Sequence, residues 1–193
     1  MTVNDFWQRI DDARRASGKL VEVPQRLVDV LSAMDESEII SYQSHYLDCI
    51  RQSYDGKLWL GASVLMGGCS DDSFSDFQCW LIAQGKAAFE SAIADPDSMA
   101  DWQRFDGDDE YPTLFYFGSV AVDAFFKRLG IAKRDFATQE RFRSLCPPWR
   151  FPDLKQPEFL DIDDEDDKVR VLFPKLTARF PSGIGWRDSH DVA

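Results

Sequence analysis

Residues 58–80 read LWLGASVLMGGCSDDSFSDFQCW, and the parsing of this stretch decides the fold. Leu58 to Met66 is nearly all apolar, and periodicity cannot separate a buried strand from a buried helix in so short a run. Gly67-Gly68 follows, and glycine just past a helix end accepts the left-handed conformation that closes it. Ser70, Asp71 and Asp72 then suit a helix start. Serine or aspartate there satisfies orphan N–H groups, and carboxylates gain about 0.3–1 kcal/mol from the helix dipole. The neighbouring segments have helical patterns, so the stretch reads as helix, corner, helix.

Outward from the corner, the spacing predicts a helix over about 73–94, ended by Asp95-Pro96. Phe74, Phe77, Leu81, Ala88 and Ala92 form one stripe, and Trp80, Ile82, Phe89 and Ile93 widen it, as in a helix packed on several sides. Gly85 and Ala88 permit a close approach by another helix. Towards the N-terminus, Phe6, Trp7, Ile10 and Ala13 follow a cap at Thr2 or Asn4 and stop at Gly18. Pro24 fits the first turn of the next helix. Asp35-Glu36-Ser37-Glu38 resembles a capping box before a helix reaching about Tyr54. Towards the C-terminus, Phe117, Ala121, Ala124, Phe125 and Leu129 fit a helix stopped at Gly130, and a short one is expected over 134–145. Beyond lie prolines, the acidic run at 161–167 and many aromatics, too apolar for a free tail. Val169-Arg170-Val171-Leu172-Phe173 is the expected strand there.

A chain of 193 residues, 44% of them hydrophobic, suffices for one domain that buries roughly 70% of its unfolded surface. The net charge of −12 repels phosphate backbones and anionic membrane surfaces, which argues against nucleic-acid and membrane binding. It would attract a basic protein or a cation, and it also serves solubility. Cys49, Cys69, Cys79 and Cys146 show no zinc spacing and fit free thiols in a reducing compartment. The opening residues lack a signal pattern, and the longest apolar run is shorter than the ~20 residues that span a bilayer. A cytoplasmic location is the expectation.

Three blocks resemble a known family: NDFWQRIDDAR from Asn4, GGCSDDSFSDFQCWLIAQGKAAFESAIADPDSMAD from Gly67, and FYFGSVAVDAFF from Phe115. They look like the bacterial domain of unknown function 4240, over about residues 1–130. The resemblance implies a bacterial source and brings no activity or catalytic residue.

Asp72 and Asp76 stand four apart and share a helix face, with Asp71 beside them. The three could hold Mg²⁺ or Ca²⁺ or act as an acid/base pair, or they could simply serve the helix N-terminus. Cys69 precedes a helix start, where a thiol pKa falls, but neither His45 nor His190 is placed beside it by the sequence. The simpler reading is a buried thiol at a tight corner. His45 and Cys49 have ligand spacing without further ligands, and half-buried histidine with one hydrogen bond is the plainer reading. An EF-hand loop begun at Asp161 fails at Asp166 and Leu172. Phosphate loops, nucleophile elbows and zincin motifs are absent from the sequence. Some of Trp7, Trp59, Trp80, Trp102, Trp149 and Trp186 could be exposed and serve a protein-binding face, although packing in the core is the commoner fate.

The expected object is therefore mainly α: a bundle of about six helices around a central one. Residues 1–130 form the helical domain, with 131–193 an irregular aromatic extension packed on it. The expected function is a non-catalytic acidic protein-binding module, immunity-like or accessory, with a basic protein partner. The other reading is a small metal-dependent hydrolase or transferase using the three aspartates. The candidate site is Cys69, Ser70, Asp71, Asp72, Asp76 and Trp80, and no resident metal or cofactor is expected.

Overall fold

The computed structural model of the chain describes residues 1–102, 111–148 and 165–181. The fold is mainly α, with no strand among the described residues. Its helices are α1 (Val3–Ala16), α2 (Val23–Ser32), α3 (Glu36–Ser53), α4 (Gly56–Met66), α5 (Asp71–Ala83), α6 (Lys86–Ala94), α7 (Val120–Arg128), α8 (Phe136–Leu145), α9 (Glu165–Leu172) and α10 (Pro174–Arg179). Single 3-10 segments at Pro96–Asp101 and Phe115–Ser119 link them.

Local chemistry sets the helix boundaries. At α1, Thr2 accepts from the Asp5 N–H at 3.2 Å while the Asp5 carboxylate accepts from Thr2 N at 2.8 Å, a reciprocal cap. Phe6, Trp7, Ile10 and Ala13 then face the core. The apolar run at 58–66 is helical: Asp55 accepts from Lys57 N and Leu58 N at 2.9 and 3.1 Å, and Gly67 closes α4 at φ 70°. The run is apolar all round because α4 is covered on several sides, with Leu58, Leu60, Ala62, Val64 and Leu65 all buried.

The central helix expected over about 73–94 is two helices. α5 ends at Ala83 with Gln84 as its C-cap, and Gly85, at φ 89°, turns the chain into α6. A Cβ on Gly85 would lie 2.7 Å from Arg14 Nη1 and closer still to Asp11 Oδ1. The close approach is that of α1, and it falls at a break. The apolar stripe runs on because Phe89 and Ala92 of α6 remain buried, which is why the pattern alone does not reveal the turn. The central element is α5, whose residues Phe77 to Ala83 are buried on every side.

Two further expectations are corrected. The stretch at 169–173 is not a strand: it closes α9, and Phe173 begins α10 with its ring fully buried. With no strand to pair with among the described residues, the helix meets the backbone's hydrogen-bonding needs within the segment. The acids before α3 do not form a capping box. Asp35 makes no side-chain cap and pairs with Arg128 at 3.2 Å, Glu36 pairs with Arg141 at 2.6 Å, and Glu38 accepts from the chain's N-terminal ammonium at 3.2 Å. These carboxylates tie α3 to distant elements instead.

A buried carboxylate holds the C-terminal helices. Asp97 accepts from Lys175 N at 3.1 Å and Leu176 N at 2.9 Å, at the start of α10. Leu176 and Phe173 beside it are fully buried. The acidic run at 106–110 and residues 161–164 of the run at 161–167, together with Trp149, Trp186 and His190, lie outside the described residues, while the last three acids of the second run open α9.

Candidate functional site

The corner between α4 and α5 is fastened from both sides. Ser70 Oγ accepts from Ser73 N at 3.2 Å, the N-cap expected there. The indole of Trp59 donates to the Cys69 carbonyl at 2.8 Å and stacks on Phe74 at 4.7 Å between ring centres. Cys69 is buried, and burial pushes its thiol up to about 12. A thiol so placed stays protonated at neutral pH and is a poor nucleophile. The His45 ring lies 3.2 Å from the Met1 carbonyl and 5.8 Å from the Phe6 ring, committed to the N-terminal helix.

The sequence-derived site separates into three environments. Asp71 and Asp72 are exposed in the first turn of α5, where the dipole favours them. Trp80 is 1% exposed and packs between Phe77 and Trp102, so it belongs to the core. Asp76 is half-buried and lines a groove. No group of three or more histidine, cysteine, aspartate or glutamate side chains able to hold a metal ion occurs among the described residues.

The groove encloses about 620 Å³ between α3, α5 and the segment leading into α7. Its floor holds Ile50, Cys79 and Tyr46, whose hydroxyl is 3.2 Å from Cys79 Sγ. Leu114 N donates to the Asp76 carbonyl at 3.2 Å and pins the 3-10 segment to α5. That segment projects Phe115 and Tyr116 at the groove's edge, 71% and 68% exposed.

Two carboxylates line the groove and differ in state. Asp123 accepts from Ser119 Oγ at 2.7 Å and from Arg134 Nε at 2.9 Å, so its charge is matched. Asp76 has no ion pair among the described residues. Burial first, and then the charge of Asp72, push its carboxyl up from the ordinary value. An unmatched carboxylate in an apolar recess favours a cation that can reach it.

The groove's other members, Tyr46, Phe115, Tyr116, Asp123 and Arg134, escape the sequence reading. One signal was available: in LFYFGS only Phe117 follows the helical stripe, which leaves two adjacent aromatics off it.

The family model described as Protein of unknown function (DUF4240) matches residues 1–127. The chain belongs to this family. The DUF4240 match spans α1 through most of α7, including the corner, Asp76 and both exposed aromatics, while Arg134 lies beyond it. No curated protein and no solved structure matches the chain.

Proposed function

We propose that this DUF4240 chain is a non-catalytic protein-binding module whose docking surface is the groove beside α5. The single observation that carries the reading is the pairing of exposed Phe115 and Tyr116 with the unmatched carboxylate of Asp76 on one recess. Exposed aromatics around a pocket supply binding energy, and a buried-edge carboxylate supplies orientation. The occupant is a basic protein segment: an arginine or lysine enters the recess towards Asp76, and its neighbours pack on the two rings. Charge complementarity supports this choice, since the chain carries −12 and Asp71 and Asp72 extend the negative field beside the groove.

The reading places the module in a bacterial cytoplasm, as an immunity-like or accessory protein. Four free cysteines, three of them buried, support a reducing compartment. The metal-dependent alternative draws no support from the geometry, because Asp71, Asp72 and Asp76 do not form a metal-holding group.

The test is comparative capture from the native host, followed by reconstitution with the purified partner. Wild type should retain a basic protein that Asp76→Asn and Tyr116→Ala lose, with both variants folded. Equal retention by the variants, or no retained protein, would overturn the reading.

A further inference from the structure

Of the two carboxylates that line the groove, one already holds an arginine of this chain. Arg134 Nε donates to Asp123 at 2.9 Å, and Nη2 of the same guanidinium reaches the same oxygen. Asp76 makes no such pair among the described residues. Arg134 and Asp123 also line a neighbouring recess of about 460 Å³ at the end of α7, so the pair borders both spaces. Lys127, the other cation beside that recess, is committed to Asp29 at 2.7 Å.

The fold carries Arg134 to this place. Gly130, at φ 71°, closes α7: Gly130 N donates to the Lys127 carbonyl and Ile131 N to the Phe126 carbonyl, both at 3.0 Å. Asp135, next to Arg134, caps α8 by accepting from Thr138 N at 2.9 Å. Between these two fastened points the chain returns along α7, and Arg134 meets an acid of that helix's first turn. The docking of α8 does not need the pair. Phe142 is buried against Phe125, and Arg141 pairs with Glu36 at 2.6 Å. A half-exposed ion pair adds little to stability. Its consequence lies in the groove, where it decides how many cations the two acids can receive.

From this we infer that Arg134 is a specificity-determining residue of the groove: it fills Asp123, limits the partner to one cationic side chain at Asp76, and so selects a segment with a single basic residue among apolar ones over a run of basic residues. The inference rests on the groove being the docking surface. A second cation of the partner meets no open acid there and faces the charge of Arg134. Such a repulsive element is how an interface rejects a near-match that long-range attraction alone would accept. The distinction matters in a chain of net −12, whose field draws every basic segment alike. Asp123 lies within the residues that match the family and Arg134 beyond them, so the selection is supplied by the extension.

The test uses the full chain and capped heptapeptides of glycine and leucine. One peptide has a single central arginine; the others carry a second arginine one, two or three residues further on. Affinities are read by NMR titration at constant ionic strength, from the backbone amides of Asp76 and Tyr116. With wild type, a second arginine at any spacing should improve binding by less than about twofold. With Arg134→Gln, which changes an exposed side chain and should melt with wild type, the best two-arginine peptide should gain at least about tenfold over the single-arginine one. Adding Asp123→Asn to that variant should abolish the gain. Arg143→Gln makes the same change of charge at an exposed arginine paired with Glu140, and should keep the wild-type preference. A tenfold preference for two arginines in wild type, no gain in Arg134→Gln, a gain that survives Asp123→Asn, or an equal gain in Arg143→Gln would each overturn the role of Arg134. Those results leave the groove standing as long as Asp76→Asn weakens the single-arginine peptide at least about tenfold. Absence of that loss, or of any saturable binding, overturns the groove reading and this inference with it.

Discussion

The two ends of α5 behave differently although they belong to one helix. Its first turns carry Ser70 as cap, exposed Asp71 and Asp72, and half-buried Asp76 on a groove. Its last turns, Phe77 to Ala83, are buried all round and closed by Gly85 against α1. The difference teaches that one element can hold the fold at its end while its start stays open to solvent beside the groove proposed as the docking surface. Substitutions should therefore separate along its length.

The largest effect is expected at the buried end. Trp80→Ala should cost about 3–5 kcal/mol, seen as a fall in the urea midpoint, because a fully buried ring leaves a cavity. A loss below about 1 kcal/mol would mean that this end is not the core. Next, Gly85→Ala should cost about 1–2 kcal/mol, because φ 89° is strained for any residue with a Cβ. The side chains of Asp11 and Arg14 must also shift. An unchanged melting temperature would restore a single continuous helix over 73–94.

At the exposed end the effects are smaller. Ser70→Ala should cost about 1 kcal/mol in equilibrium unfolding, the usual loss of an N-cap bond. Asp76→Asn should stabilise by at most about 0.5 kcal/mol at pH 7. The sign follows from burial raising the carboxyl of Asp76 in the folded chain: the native state holds its proton to higher pH than the unfolded chain. Stability from this group is thus present at acid pH and is lost as pH rises through the folded value. The advantage of the variant should shrink on acidification through that window. A destabilised Asp76→Asn at neutral pH would contradict an unmatched carboxylate.

Much of this was legible in the sequence because it is local. Caps at Thr2 and Ser70, the left-handed stop at Gly67 and the helical nature of 58–66 follow from adjacent residues. The break at Gly85 was hidden because buried residues continue in α6 with the same spacing. The run at 169–173 resembles a strand because two valines stand at alternate positions over so few residues. In the helix, Val171 is exposed while Val169 and Phe173 are buried. Of the candidate site, Asp76 survives as a groove residue, whereas Trp80 turns inward. The groove itself depends on Leu114 reaching the Asp76 carbonyl and on Arg134 neutralising Asp123. Such contacts are set by tertiary packing and leave no trace in residue spacing.

The separation of roles along α5 is tested most directly by calorimetry with the purified partner, using Asp76→Asn and wild type side by side at neutral pH. The expected result is a variant that is folded, no less stable than wild type, and at least about tenfold weaker in binding. Binding of equal strength, with the same stability, would contradict the assignment of the groove as the recognition surface.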